Sequence, residues 1–260
     1  MQSYTTQLSE SVKSIEYVKN IELTEHSELA EHGELAEYSD VVKNSDFIEN
    51  IRIIQPEEGY RFSIDPFLLV SDIVPESNER ILDIGTGCGI MPLLLAFRYS
   101  HIHITAVEIQ KELADMAQQN FEANQLSDRI RLINDDIRQI NCLNSDSKIE
   151  LSGTSNTGGQ FDRVISNPPY KKKGSGRLNP DLQKAIARHE ITLCLDELLL
   201  SAARFLKPEG LLNLIYPVNR LTELISSMNR YAIKPLSLKY LHTKKGGTPK
   251  LVLVSGIKQA

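Results

Sequence analysis

The apolar run "FDRVIS" ends in "NPPY", Asn167 to Tyr170, and three lysines follow directly, Lys171, Lys172 and Lys173. Asn167 offers a side-chain oxygen. Pro168 offers a backbone carbonyl whose direction the two adjacent prolines hold. Tyr170 offers an aromatic plane. Two preorganised acceptors beside a stacking surface suit a planar group that bears two N–H hydrogens. Other residues with chemical potential close other apolar runs. "RILDIGTGCG" carries Asp83 at the end of a run, then Gly85, Gly87 and Gly89. "HITAVEI" ends on Glu108, 19 residues beyond Gly89. "IRLINDD" ends on Asp135 and Asp136.

These runs alternate with helical patterns. "MPLLLAFRYS" reads as a helix, and "KELADMAQQNFEANQ" as an amphipathic helix with Leu113, Met116, Ala117 and Phe121 on one face. A second helical stretch, "DLQKAIARHEITLCLDELLLSAARFLK", has a break near Glu190, and "VNRLTELISSMNRY" follows the strand "GLLNLIYP". Strands separated by helices pair in parallel through right-handed crossovers. The last two strands, "IKPLSLKYLHT" and "PKLVLVSGIK", are joined by a loop too short for a crossover and must be antiparallel. The expected fold is an open, doubly wound α/β sheet with an antiparallel strand near one edge.

In such a sheet, ligands sit at the carboxyl ends of the strands, where the strand order reverses. The glycine loop reads GxGxG, with Ile90 where a dinucleotide fingerprint has its third glycine. That departure disfavours a pyrophosphate clamp. A carboxylate at Glu108 can accept both hydroxyls of a ribose. Asp136, or Asp135 beside it, can accept from the amino group of an adenine. The three strand ends together describe a nucleoside cofactor held without a phosphate site.

Composition bounds the rest. The chain has 260 residues, 41% hydrophobic and 24% charged, with a formal charge of −5. Residues 1–40 hold nine acids and two lysines, so that segment alone carries −7 and the remainder is slightly basic at +2. The acidic stretch "TEHSELAEHGELAEYSDV" places an acid at every third position, a period that matches no helix face. Residues 1–44 are therefore read as an acidic, mobile extension, and 45–260 as the folded domain. The Ser/Gly-rich segment 141–160 reads as an exposed insertion. Three separated cysteines, none in a CxxC pair, disfavour a disulfide framework or a zinc site. No apolar run approaches the roughly 20 residues of a membrane span, and the N-terminus lacks the apolar core of a signal peptide. A cytoplasmic protein with no resident metal and no membrane partner is expected.

The motifs "LDIGTGCGIMPLLLA", "VEI", "NDDI" and "NPPY", in this order, resemble those of class I S-adenosylmethionine-dependent methyltransferases. The flanking "QPEEGYRFSIDPFLLV" and "IARHE" are similar to the bacterial tRNA(Val) adenine-N6-methyltransferase family. The resemblance covers about residues 45–258, and the acidic leader and the 141–160 insertion depart from that family's pattern. It implies a Rossmann-like sheet of seven strands with the seventh antiparallel. It also implies S-adenosyl-L-methionine as cofactor, S-adenosyl-L-homocysteine as product and RNA, a tRNA near its anticodon, as substrate.

On that reading Asn167 and Pro168 orient the adenine amine, and Tyr170 stacks on the base, a contact typically worth about 1–3 kcal/mol. Phe62 and Ser63, with Asp65 or its neighbours, line the methionine end of the cofactor; Ser63 and Asp65 are equally suited to cap the helix that follows. Asp83, Gly85, Gly87, Gly89, Glu108, Asp136 and Asn167 hold the cofactor. Pro169, Tyr170, Lys171, Lys172, Lys173 and Arg188 face the substrate, where lysines supply phosphate contacts without reading sequence. Arg188 and His189 equally suit a brace for the active-site loop. Two other substrates fit the same corner: a protein glutamine, as in release-factor methyltransferases, and an adenine in DNA. The first normally comes with an N-terminal helical domain, and this leader is too polar to form one.

Overall fold

The computed structural model describes residues 15–17, 51–54, 64–140, 142–143, 149–150, 161–170, 193–242 and 247–260. Its centre is the run β3 (Arg80–Ile84), α2 (Ile90–Arg98), β4 (His103–Glu108), α3 (Lys111–Ala123) and β5 (Ile130–Asn134). Helix α1 (Asp65–Ser71) precedes it. The second half comprises β8 (Phe161–Ser166), α4 (Leu195–Phe205), β9 (Leu206–Pro217), α5 (Leu221–Arg230), β10 (Ile233–Leu241) and β11 (Leu251–Lys258). Seven strands form one sheet in the order β10-β11-β9-β8-β3-β4-β5. β8, β3, β4, β5 and β9 pair in parallel, and β11 runs antiparallel to both β9 and β10. This is the expected architecture, with the antiparallel strand one place in from the edge.

Strands covered on both faces need apolar residues at successive positions, and β3 shows it: Ile81 and Leu82 are both fully buried. Ile81 belongs to a core cluster with α1, α2 and α3, whereas Leu82 belongs to one with α4 and α5. Arg163 of β8 donates to Glu79 Oε1, just before β3, at 2.5 Å and to Asn213 Oδ1 of β9 at 2.7 Å, a buried brace that joins three neighbouring strands.

Four details differ from the sequence reading. Met116 is only half-buried, and Ala114 and Asn120 complete the inner face of α3. β9 begins at Leu206, before Gly210, because a left-handed Glu209 (φ 63°) lets the chain continue through a register shift against β8. Within the acidic leader, β1 (Ile15–Tyr17) pairs antiparallel with β2 (Arg52–Ile54). Within the insertion, β6 (Cys142–Leu143) pairs with β7 (Ile149–Glu150). The rest of the leader and insertion lies outside the described residues.

Asn120 explains how β2 is held. Its Nδ2 donates to the Cys88 carbonyl at 2.8 Å and to the Ile54 carbonyl at 2.9 Å, and its Oδ1 accepts from the Ile54 N–H at 2.6 Å. One turn later, Asn124 exchanges two bonds with the Arg52 backbone, at 2.9 and 2.7 Å. Two amides at i and i+4 on one helix thus satisfy the backbone of a short strand, and Asn120 ties it to the glycine loop. Asn120→Ala strands these buried groups and is expected to cost about 2–3 kcal/mol. Urea unfolding should show a lower midpoint with an unchanged slope.

Candidate functional site

The strand order reverses between β3 and β8: the chain steps from β3 outward to β4 and β5, then returns to β8 on the other side. Ser166 Oγ donates to the Ile84 carbonyl at 2.7 Å and locks these two strand ends together. Asn134 Nδ2 donates to the Glu108 carbonyl at 2.8 Å and does the same for β5 and β4. An open-mouthed cleft lies over these ends, enclosing about 710 Å³ with its mouth included. Its walls include Gly85, Gly87, Glu108, Asp135, Asp136 and Asn167 to Pro169, with Val107, Ile109, Leu113 and Ile137 supplying apolar surface. No lysine or arginine is among the described residues that line it.

The glycine loop turns because Gly85, Gly87 and Gly89 adopt positive φ angles of 76°, 61° and 84°. At Gly89 a Cβ would also lie 2.5 Å from the Phe121 ring, so only glycine lets α2 start this close to α3. The loop's Gly87 N–H donates to Glu108 Oε2 at 2.9 Å, and the Gln110 N–H donates to Oε1 at 2.9 Å. The Glu108 carboxylate is therefore held in one orientation at the cleft wall, with lone pairs remaining for two hydroxyls. Burial raises its pKa, and those backbone donors oppose the rise.

Asp83 is fully buried, and neither of its carboxylate oxygens has a hydrogen-bond partner. Burial pushes its pKa up to about 7, opposed in part by the nearby Thr86 hydroxyl, which is not placed to make a well-formed hydrogen bond to it, and reinforced by the charge of Glu108. A buried carboxylate with no partner is costly unless a cation or donor meets it. The apolar walls, the pinned Glu108 and the buried Asp83 behind them fit the adenine, ribose and ammonium of S-adenosylmethionine. Asp136 also lines the cleft, but Arg138 already engages both its oxygens, at 2.9 and 2.6 Å, and holds it below the usual carboxylate range. Arg138 reaches Glu197 on α4 at 2.9 Å as well. Asp135 receives the Asp136 N–H at 2.7 Å. Cys88, beside the loop, is buried and its thiol is pushed up to about 12, which leaves it inert as a nucleophile.

At the end of β8, Tyr170 donates its hydroxyl to Asn167 Oδ1 and lies 3.2 Å from Asp65 Oδ2 at the start of α1. The structure thus gathers Gly85, Gly87, Glu108, Asp136, Asn167, Pro168 and Pro169 around one cleft, with Asp83 and Gly89 behind it and Tyr170 at its edge. Phe62, Ser63, Lys171, Lys172, Lys173, Arg188 and His189 lie outside the described residues. The sequence reading missed Ser166, Arg138, Asn120 and Arg220. Asn120 alone had a visible signal, a polar side chain inside the apolar stripe of an amphipathic helix.

Three comparisons bear on this arrangement. The methyltransferase small domain model matches residues 64–230. A tRNA1(Val) (adenine(37)-N6)-methyltransferase of Porphyromonas gingivalis is 37% identical over 67% of this chain. The matched region spans 64% of that relative's length. Another of the same name, from Tolumonas auensis, is 35% identical over 73% of each chain. Among solved structures, a predicted O-methyltransferase of Agrobacterium tumefaciens aligns with a TM-score of 0.57 at 24% identity, covering 75% of this chain and 81% of the other, a likeness of fold. No helix among the described residues is long and apolar enough to cross a membrane.

The raised pKa of Asp83 makes stability fall with pH. The folded state holds a proton that the unfolded chain has already lost, so this contribution is complete below about pH 4 and vanishes as pH rises through about 7. Asp83→Asn is expected to stabilise the protein at pH 8 by up to about 4 kcal/mol. The gain should disappear at pH 4, as read from calorimetric melting at the two pH values.

Proposed function

The chain belongs to the methyltransferase small domain family, and from that membership we propose that it methylates the exocyclic amine of an adenine in RNA with S-adenosylmethionine, a tRNA near its anticodon being the substrate. The observation that carries this reading is the placement of Asn167 and Pro168 at the reversal point of the sheet, on the wall of a cleft whose other walls suit the cofactor. The relatives' printed names supply the choice of tRNA.

When bound, the cofactor supplies a methyl group on a sulfonium, already a good electrophile. The protein's work is to hold the acceptor in line with it, at roughly 3–3.5 Å. An adenine amine is a poor nucleophile because its lone pair is delocalised into the ring. Asn167 Oδ1 and the Pro168 carbonyl draw its two hydrogens and favour a more tetrahedral nitrogen. The prolines keep the second acceptor fixed, so little reorganisation is needed as charge develops. Asp83 stabilises the cofactor's ammonium, Glu108 its ribose hydroxyls, and Asp136 or Asp135 its adenine amino group. A strong general base is unnecessary, since the amine can release its proton after transfer.

Incubation with labelled S-adenosylmethionine and separate pools of tRNA, rRNA, DNA and release factor, followed by nucleoside analysis, tests the reading. Methyladenine in tRNA is the expected product; label confined to protein or DNA contradicts it. Asn167→Ala should lower transfer by about 100-fold or more. Cofactor affinity, measured by calorimetry, should fall far less than the transfer rate.

A further inference from the structure

Tyr170 is clamped. Its ring meets Tyr216 edge-on at 6.2 Å between centroids. Its backbone carbonyl accepts from Arg220 Nη1 at 2.9 Å. The Arg220 guanidinium stacks over Tyr216 at 5.2 Å and pairs with Glu223 at 2.9 Å. These contacts fix the ring, leaving rotation about the phenolic C–O bond as the hydroxyl's remaining freedom. The hydroxyl faces two acceptors, Asn167 Oδ1 and Asp65 Oδ2. A phenol carries one proton and donates one strong bond at a time. Both oxygens lie within its hydrogen-bonding reach. The amide oxygen that the proposed reaction assigns to the incoming amine already accepts a hydrogen bond from within the protein.

We infer that Asp65 is a positioning residue: it takes over the Tyr170 hydroxyl when a substrate N–H engages Asn167 Oδ1. This rests on the proposed function. The exchange needs only a turn of the O–H bond. The phenol keeps its proton, and the ring stays in place to stack on a base. Asp65 suits the task on two grounds. It sits in the first turn of α1, whose Pro66, Phe67, Leu68, Leu69 and Val70 are buried, so its position is set by the core and not by the corner itself. A carboxylate is also a stronger acceptor for a hydroxyl than an amide oxygen. Until an amine arrives, the Tyr170 hydroxyl satisfies the Asn167 oxygen; afterwards Asp65 satisfies the hydroxyl, so neither polar group is stranded.

A double-mutant cycle on the full chain tests this. Methyl transfer to tRNA is measured under cofactor saturation for the wild type, Asp65→Ala, Tyr170→Phe and the double variant. Asp65→Ala should lower kcat by about tenfold when the Tyr170 hydroxyl is present, and by less than about twofold in the Tyr170→Phe background. Asp65→Asn keeps an acceptor oxygen and the start of the helix, and should restore about half of the lost rate or more. Equal losses from Asp65→Ala in both backgrounds would show a merely structural role and overturn the inference, as would failure of Asp65→Asn to rescue a folded enzyme. A wild-type chain that methylates no tRNA adenine overturns the proposed function, and this role with it.

Discussion

Asp83 sits at the end of a strand buried on both faces, with neither oxygen hydrogen-bonded. Little else in the protein could force a carboxylate into that position. β3 is central, flanked by β4 and β8, and its alternate residues serve two different cores. The strand delivers Asp83 to the reversal point, and the glycine loop then closes over it, pinned by Glu108 from β4 and by Asn120 from α3. The resulting cost in stability is localised where a positive ligand can offset it. Glu108, Asp135 and Asp136 stand on the wall of the cleft, Asp83 lies behind it, and no lysine or arginine is among its described lining residues.

The acceptor side of the site depends on the same geometry. β8 runs beside β3, and Ser166 fastens their ends, so Asn167 emerges beside the glycine loop and not further round the sheet. The prolines carry that position one residue onward. Tyr170 is then held by groups from three separate elements: Asp65 of α1, Tyr216 of β9 and Arg220 just before α5. The ring and carbonyl of Tyr170 are thus held by residues outside the segment that carries them.

Much of this could be read in the sequence, for a physical reason. Strand ends, glycines with forced positive φ and a proline pair are local signals: their meaning depends on residues one to five positions away. The sheet, the loop at Gly85 to Gly89 and the placement of Glu108 and Asn167 follow from such signals. Arg220 reaches a carbonyl 50 residues away, Asp65 a hydroxyl 105 residues away, and Asn120 a strand 66 residues away. No periodicity encodes those distances. Arg138 hid for another reason: it lies two residues from Asp136, but an i,i+2 pairing at a strand end has no pattern to mark it. The sequence also named Asp136 as an adenine acceptor without showing that a guanidinium already engages both its oxygens.

The central claim is that the unpaired charge of Asp83 is matched by the cofactor's cation. Titration calorimetry of S-adenosylmethionine in buffers of different ionisation enthalpy measures it directly, because it counts protons exchanged on binding. With Asp83 at about 7 in the unliganded protein, binding at pH 6 should release close to one proton; at pH 8.5 that release should be gone and replaced by uptake, because an α-amino group with a pKa of about 8 must gain a proton to bind as an ammonium. Release that is absent at pH 6, or that survives in Asp83→Asn, would contradict the account.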